Sequence, residues 1–329
     1  MEVELAEKFF SRALSMAPQD TNIMDALADV QIQLGESDKA VQLLLQSTSI
    51  APSVNPFKWL FLGQLQSEAE SVKSYRTGIE LLTSLLQNES EADARQLLSK
   101  QIAKAHCSIV EIYLTDLCYD EDAETTCEKE VASALALCPD SLDGLQTLAS
   151  LRLSQVRKGE AAKIISSVFD RISHIRQVVS ARTVVEEISG AAEPPEFQDL
   201  PEMEFSIATV KLLIECASED PLLYSKALDL GSSLLDEDED NVELWYLMGV
   251  ASLGGLSPCD SNNNTNNECN NSTNNSNNNT VDLESAQEHF LRAQSMMDRL
   301  REEAAEQEGP DAQFMYQEQY ELVQEHLRL

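Results

Sequence analysis

The residues of this sequence that could carry chemistry are its histidines and cysteines. Paired imidazoles or thiolates at helical or C-x2-C spacing would bind a metal, and a cysteine beside a histidine could act as a nucleophile. No two of the four histidines are three or four residues apart, and no two of the seven cysteines are separated by two residues. The histidines are His106, His174, His289 and His326. This spacing predicts no metal site.

His106 and Cys107 are adjacent, which raises the possibility of a base beside a nucleophile. Adjacent residues on a helix point in different directions, so this pair is a poor catalytic arrangement. The spacing of Cys107, Cys118, Cys127 and Cys138 by eleven, nine and eleven residues suits small core residues on helices. We therefore predict that the protein is not an enzyme and requires no cofactor.

The charge of the chain is strongly unbalanced, with 23 basic and 57 acidic residues and a formal net charge of −34. Such a surface repels nucleic-acid phosphates and anionic membranes and attracts basic partners, although acidity can also serve solubility alone. No apolar run reaches the roughly 18 residues of a membrane span. The odd number of cysteines and the absence of a basic leader favour reduced thiols in the cytoplasm or nucleus.

The elements that position these residues are predicted to be helices, because Ala, Leu, Glu and Gln are abundant. Pro18 and Pro52 are 34 residues apart, and the residues before each follow the pattern A-x3-F-x2-A-x4-P. The matching positions are Ala6, Phe10 and Ala13, then Ala40, Leu44 and Ser47. This period and pattern predict an all-α fold, a tetratricopeptide-repeat superhelical solenoid.

Later segments continue the same pattern. Trp59, Leu62 and Gly63 open a third unit, with Gln66 where tyrosine is usual. A fourth unit is predicted from about Gln96 to Pro139, and a fifth over 145–168. Helices near 202–217 and 221–235 form a degenerate unit, and the last unit opens at 245 and resumes at 286. Small residues at these positions let paired helices approach, and large ones fill the space between pairs.

Three domain-level segments are predicted. Residues 1–189 form N-terminal repeats, 190–201 with three prolines form a linker, and 202–329 form C-terminal repeats. Residues 257–281, with twelve asparagines, are predicted to be a disordered insert, and 311–329 to be a capping helix. Residues 2–16 match the second helix of a repeat without its first helix, so we expect a shortened N-terminal edge.

The predicted partner-binding surface is the concave wall formed by the first helices of the repeats. Its residues are mostly acidic, with a few aromatic or apolar anchors, a mixture that fits an extended segment rich in Lys and Arg. The run Asp236–Asp240 is interpreted as a solvated loop. The predicted wall residues are Asp25, Asp29, Phe57, Leu60, Gln64, Glu68, Glu111, Asp143, Gln146, Glu243 and Tyr246.

Several segments go beyond the general repeat pattern. They are EIYLTDLCYDEDAETTCEKEV at 111–131, LQTLASLRLSQVRKGEA at 145–161, FKWLFLGQLQ and SYRTGIELL within 57–82, and VELWYLMG at 242–249. With these segments the sequence resembles the tetratricopeptide-repeat assembly chaperones of the fourth large-subunit ribosomal protein. The resemblance covers roughly residues 1–255 and resumes at 284.

The resemblance implies a dedicated chaperone that captures a newly made ribosomal protein, shields its long basic internal loop and accompanies it to the nucleus. We also predict a monomer with one client, located in the cytoplasm and nucleus, and the acidic charge predicts no direct contact with nucleic acid or membrane. The alternative is an adaptor or co-chaperone scaffold that binds another protein's tail. Two acids on one first helix, Asp25 and Asp29, would repel the acidic tail of a heat-shock protein.

Overall fold

The structure is a computed structural model that describes residues 2–189, 200–255, 275–308 and 314–328. All regular elements in these ranges are α-helices, and no strand occurs among them. They are α1 (Glu2–Met16), α2 (Thr21–Gln33), α3 (Ser37–Ile50), α4 (Phe57–Leu65), α5 (Glu68–Asn88), α6 (Ala92–Leu114), α7 (Ala123–Leu137), α8 (Leu142–Ser154), α9 (Lys158–Ser189), α10 (Met203–Cys216), α11 (Leu222–Leu235), α12 (Val242–Gly255), α13 (Asn275–Glu308) and α14 (Gln317–His326).

The chain divides into two compact units, Met1–Ser154 and Gln155–Leu329, here called the N-terminal and C-terminal units. The sequence places the division later, at 190–201. The difference arises because α9, which precedes that segment, packs against both α10 and α11, which follow it. Residues 190–199 of the predicted linker lie outside the described residues, and residues 200 and 201 are not helical.

The N-terminal unit is built from antiparallel helix pairs, α2 with α3, α4 with α5, and α6 with α7. Ala28 and Ala40 are fully buried in the α2–α3 cluster, where short side chains allow the two helices to approach closely. Gly63 does the same for α4 and α5, because a Cβ atom there would lie 2.7 Å from the ring of Tyr75. The small residues predicted from the repeat pattern therefore lie at the helix crossings.

The turns of this unit follow from local residue chemistry. The side chain of Asp20 caps α2 by accepting hydrogen bonds from the backbone N–H groups of Asn22 at 3.0 Å and Ile23 at 3.4 Å. Gly35 adopts φ 76° between α2 and α3, a conformation that favours glycine. These features end one helix and begin the next within a few residues, so the paired helices are antiparallel.

Apolar contacts also join successive first helices in the N-terminal unit. Leu60 of α4 packs in a cluster with Ala105 and Ile109 of α6. Val110 of α6 packs in another cluster with Leu151 of α8. The first helices α6 and α8 pack directly against each other, so polar residues on their remaining faces can form one surface.

The C-terminal unit contains the pairs α10 with α11 and α12 with α13, together with α9 and α14. A Cβ atom on Gly249 would lie 2.6 Å from the ring of Phe290, so glycine permits the close approach of α12 and α13. Val323 of α14 is buried in the same cluster as Phe290. Helix α14 thus covers an apolar face within the segment predicted as a capping helix.

The predicted insert lies mostly outside the described residues, which omit 256–274. Its last residues, from Asn275, belong to the first turns of α13, whereas the sequence predicts disorder up to 281. The physical reason is that Ala286, Phe290 and Ala293 anchor α13 in the core, and a helix extends readily from an anchored segment. None of the described helices is both long and apolar enough to span a membrane.

Candidate partner-binding surface

Two of the predicted wall residues, Glu111 on α6 and Asp143 on α8, lie on neighbouring first helices. Partial removal from water raises the pKa of Glu111, the charge of Asp143 raises it further, and Lys104 opposes the shift. The side chain of Glu111 nevertheless remains exposed to solvent. A carboxyl that is accessible yet partly dehydrated by surrounding protein is typical of a concave surface. We call Glu111 and Asp143 the acid pair.

A buried contact lies beneath the acid pair. Cys107 lies one turn before Glu111 on α6, and Thr147 lies one turn after Asp143 on α8. Both side chains are buried, and Thr147 lies near enough to Cys107 to lower the pKa of its thiol, against the larger effect of burial. The two residues therefore lie where α6 packs against α8, beneath the acid pair.

Tyr75 of α5 lies close to the same region. Burial raises the pKa of Tyr75, a hydrogen bond with the Ser108 side chain opposes the shift, and the nearby charge of Glu111 raises it again. The phenol is therefore a neutral group beside Glu111, and three helices, α5, α6 and α8, contribute polar groups to the acid pair and its surroundings.

Asp25, also predicted as a wall residue, is used inside the N-terminal unit. Its carboxylate accepts hydrogen bonds from Ser47 Oγ at 2.5 Å and Asn55 Nδ2 at 2.8 Å. Lys58 is fully buried, and its ammonium donates to Ser47 Oγ at 3.1 Å and to the Ala51 carbonyl at 2.6 Å. Burial lowers the pKa of Lys58 and the charge of Asp25 opposes this shift. Asp25 is thus the counter-charge of a buried lysine.

The remaining wall residues of α2, α4 and α5 differ in accessibility. Asp29, Gln64 and Glu68 are exposed, and Asp29 accepts a hydrogen bond from Gln33 Nε2 at 3.2 Å. Leu60 is half-buried and packs against the apolar cluster formed by α5 and α6, so it is not free for a partner. Phe57 is half-buried, as is Gln146 on α8, one turn beyond Asp143.

The wall residues of the C-terminal unit are engaged within that unit. Glu243 on α12 forms an ion pair with Lys211 on α10 at 2.7 Å. Tyr246 packs against Phe290 with ring centroids 6.3 Å apart, and burial raises its pKa. These contacts leave Glu243 partly neutralised and Tyr246 half-buried, so the acid pair of the N-terminal unit is the better candidate for binding a cation.

The acidic run Asp236–Asp240 also makes internal contacts. Glu237 pairs with Arg176, and Asp240 lies 3.5 Å from Arg299. The indole Nε1 of Trp245 donates to the carbonyl of Glu239 at 2.8 Å. The prediction of a solvated loop therefore holds only in part, since these ion pairs and the tryptophan tie the run to α9, α12 and α13.

Sequence reasoning missed Lys58, Thr147 and Tyr75. Lys58 had a signal, because a lysine within the apolar run FKWLFL at 57–62 is unusual and calls for a buried counter-charge. Thr147 and Tyr75 had none, because their importance depends on which helix lies opposite them.

Burial also changes the acidity of three cysteine thiols. Burial raises the pKa of Cys107 to about 12 and the pKa values of Cys127 and Cys216 to about 11. The His106 ring next to Cys107 turns to Glu130, with Nδ1 2.5 Å from Oε2. Thiolate is the nucleophilic form, so these thiols are inert at neutral pH.

We expect iodoacetamide at pH 8 to alkylate the exposed Cys118 at least about 100-fold faster than the three buried thiols, because at most about one buried thiol in a thousand is ionised. Peptide mass spectrometry of native protein would measure the rates. Labelling in urea, where all these cysteines should react alike, is the control. Comparable rates in the native protein would contradict the described burial.

Comparisons with known proteins complete this picture. The chain is 30% identical over 236 residues to a protein of Schizosaccharomyces pombe named "Probable assembly chaperone of rpl4", covering 70% of this chain. It is 27% identical over 258 residues to a protein of the same name from Emericella nidulans, covering 75% of this chain. The chain spans 63% and 58% of the lengths of these two relatives. No protein-family model matches the chain.

Among solved structures, the fold resembles that of an assembly chaperone of RpL4, residues 1–338, with a TM-score of 0.62 and 24% identity. The likeness covers 76% of this chain and 90% of that chain. The helices predicted from the 34-residue spacing are all present as helices of the structure. The chain has a tetratricopeptide-repeat fold. The resemblance inferred from the sequence is confirmed, because both curated relatives are named as assembly chaperones of rpl4.

In a tetratricopeptide-repeat protein the first helices of successive pairs line the surface that faces a ligand. In the N-terminal unit these helices are α2, α4, α6 and α8. They carry the acid pair together with the exposed Asp29, and Glu68 follows directly on α5. The partner-binding role of the wall residues stays a prediction. The best candidates are the wall residues that are not engaged in contacts within the protein.

Proposed function

We propose that this tetratricopeptide-repeat protein is a chaperone that binds and shields a newly made basic protein of the large ribosomal subunit and delivers it for ribosome assembly. The observation that carries the proposal is the acid pair on adjacent first helices of a chain with net charge −34. The names of the two curated relatives support the identity of the client as the ribosomal protein L4.

In this proposal, capture depends on attraction between the acid pair and cationic groups of the client. The charge of Asp143 raises the pKa of Glu111, and a guest ammonium or guanidinium group beside both carboxyl groups relieves this repulsion. Arg and Lys form charge-assisted hydrogen bonds with carboxylates, and a partly dehydrated site strengthens them. The half-buried Phe57 offers an apolar contact on α4. The client segment that fits this surface is its long basic internal loop.

Shielding follows from the same charges. A basic loop free in the cell binds nucleic-acid phosphates without sequence preference. A partner of net charge −34 neutralises that loop and repels nucleic acid at the same time. The complex would form in the cytoplasm and reach the nucleus, with one chaperone monomer for each client.

The test is co-expression with L4 and with L4 lacking its internal loop, followed by binding measurements on the purified proteins. We expect loop deletion to abolish tight binding, and the dissociation constant of intact L4 to rise at least about tenfold between 50 and 300 mM NaCl. Isothermal titration calorimetry would measure both effects.

The adaptor alternative predicts a different outcome in the same experiment. An adaptor that recognises another protein's tail would bind L4 weakly or would be indifferent to loop deletion. Unchanged affinity for loop-deleted L4 would therefore remove the loop-shielding mechanism. A stoichiometry other than one to one would remove the monomeric complex.

A further inference from the structure

A cleft of about 260 Å³ lies between α2 and α3 in the N-terminal unit. Its lining combines amide side chains with an apolar floor and one ammonium group, and it includes no carboxylate. In a chain of net charge −34 this composition is distinct from the acid pair. The lining residues are Leu27, Gln31, Lys39, Gln42, Leu43 and Gln46.

Gln31 carries an unmet hydrogen-bonding requirement at this cleft. Its side chain is 7% exposed, and Oε1 is buried without a hydrogen-bond partner among the described residues. A buried polar atom without a partner destabilises the folded state, because it has given up its hydrogen bonds to water. The last torsion of a glutamine side chain is soft, so the amide can turn toward the cleft and accept a bond from a bound group.

The next repeat provides an internal comparison. Gln66 stands 35 residues after Gln31, in the same register relative to Leu62 as Gln31 is to Leu27. The Oε1 atom of Gln66 accepts a hydrogen bond from Ser74 Oγ at 2.6 Å. Because Gln66 has an internal partner, the unmet requirement at Gln31 distinguishes the α2–α3 repeat from the α4–α5 repeat.

The difference between the repeats traces to a single position. Lys39 occupies in α3 the place that Ser74 occupies in α5, 35 residues later. The ammonium of Lys39 pairs with Glu36 at 3.1 Å, at the start of α3. The cleft between α2 and α3 is therefore open, and Gln31 Oε1 in its wall is available to accept a hydrogen bond. In the next repeat the equivalent oxygen of Gln66 already accepts from Ser74.

The exposed amides of α3 indicate what the cleft can hold. Gln42 and Gln46 lie one turn apart, about 6 Å along the helix. Alternate residues of an extended polypeptide are about 6.6 Å apart, so two amides at this spacing match two peptide units. An amide donates and accepts at once, as a peptide unit does. Leu27 and Leu43 complete the cleft with an apolar floor for a side chain.

We propose that the α2–α3 cleft binds an uncharged, extended segment of the client protein through Gln31, Gln42 and Gln46. This inference rests on the proposed function and adds a second contact to it, separate from the acid pair that takes the basic loop. Neutral amides and a lysine do not attract a basic segment. The α2–α3 cleft and the acid pair therefore bind different parts of one client.

The test measures the affinity of the full chain for intact and loop-deleted L4 by calorimetry. The double variant Gln42→Ala/Gln46→Ala should weaken binding of intact L4 about tenfold, because two exposed amide contacts are lost. Gln87→Ala/Gln96→Ala, which removes two exposed amides from α5 and α6, is the matched control and should leave affinity unchanged. Residual binding of loop-deleted L4 at millimolar protein should also depend on Gln42 and Gln46.

A third variant tests the role of Gln31 without touching the exposed amides. Lys39→Ser reproduces the Ser74 arrangement and gives Gln31 an internal partner, so binding should weaken about fivefold while the unfolding midpoint stays or rises. A photo-crosslinking amino acid at position 42 should label a segment of L4 outside the basic loop.

The outcomes separate the two proposals. Wild-type binding of L4 with no loss in the Gln42→Ala/Gln46→Ala variant, or a crosslink from position 42 only to the basic loop, would overturn the cleft and leave the chaperone function standing. Absence of L4 binding by the wild-type chain would overturn both.

Discussion

Replacing Asp25 by leucine is expected to destabilise the N-terminal unit by about 3 kcal/mol, although the sequence points to Asp25 as a partner-binding residue. Lys58 is fully buried, its ammonium donates to Ser47 Oγ, and Ser47 Oγ in turn donates to Asp25, whose charge opposes the lowering of the Lys58 pKa. Removal of one member of such a group leaves an uncompensated buried charge, which costs far more than the loss of a surface ion pair.

The measurement is urea unfolding followed by circular dichroism, with hydrogen exchange of the amides in α2–α4 to assign the loss to the N-terminal unit. Asp29→Leu, one turn along on an exposed position, is the control and should change the free energy of unfolding by no more than about 0.5 kcal/mol. Equal losses at both positions would refute the role assigned to Asp25.

A second variant separates charge from packing. Asp25→Leu/Lys58→Met removes both charges and keeps an apolar chain of similar length in the buried position. Because no unpaired charge remains, we expect it to recover at least about half of the stability lost in Asp25→Leu. A double variant as unstable as the sum of its parts would indicate that the lysine stabilises α3 through its hydrogen bonds alone.

Reversal of the acid pair, Glu111→Lys/Asp143→Lys, is expected to weaken capture of the basic client about 100-fold. The change removes two attractive charges and places two ammonium groups where the client presents its own. The buried Cys107–Thr147 contact beneath the pair is untouched, so the variant should fold. Calorimetry at fixed salt, with circular dichroism to verify folding, measures the effect.

The matched control is Asp38→Lys/Glu80→Lys, which makes the same change in net charge on the second helices α3 and α5. Both positions are exposed, so the control should weaken capture by no more than about threefold through long-range attraction. If both double variants weaken capture equally, binding depends on the net charge of the chain and not on the position of Glu111 and Asp143.

Capture should also depend on pH through Glu111. Dehydration and Asp143 raise its pKa, so on acidification Glu111 gains its proton at a higher pH than an ordinary glutamate does. The protonated form attracts no cation, and affinity should therefore begin to fall above the usual glutamate range. Asp143→Asn should shift that fall to lower pH, and the same onset in both proteins would contradict the coupling.

The helices and their pairing were predictable because repeat proteins encode them locally. The positions around Pro18 and Pro52 specify small residues at crossings and a proline after the second helix, and each repeat needs only its neighbours to form. Ala28, Ala40 and Gly63 are accordingly buried at helix crossings. The boundary between compact units was not predictable in this way, because α9 packs with helices that follow a proline-rich segment.

The candidate site was predictable only in outline. The repeat frame places Asp25, Glu111, Asp143 and Glu243 alike on first helices, and nothing in the frame distinguishes them. In the structure Asp25 balances Lys58 and Glu243 pairs with Lys211, whereas Glu111 lies beside Asp143, whose charge raises the pKa of Glu111. Whether a carboxylate already has a partner inside the protein can depend on a side chain 30 residues away in the chain, as Asn55 is from Asp25.

The sequence by itself determined the all-helical repeat architecture, the strongly acidic character and the resemblance to curated proteins named as assembly chaperones of rpl4, because periodicity, composition and local motifs are read along the chain. Tertiary structure alone decided which acids remain available to a partner and where the α2–α3 cleft opens. The reason is physical: charge and hydrogen-bonding capacity are consumed by neighbours in space, and a single exchange of Ser74 for Lys39 between equivalent repeats leaves Gln31 without the bond that Gln66 makes.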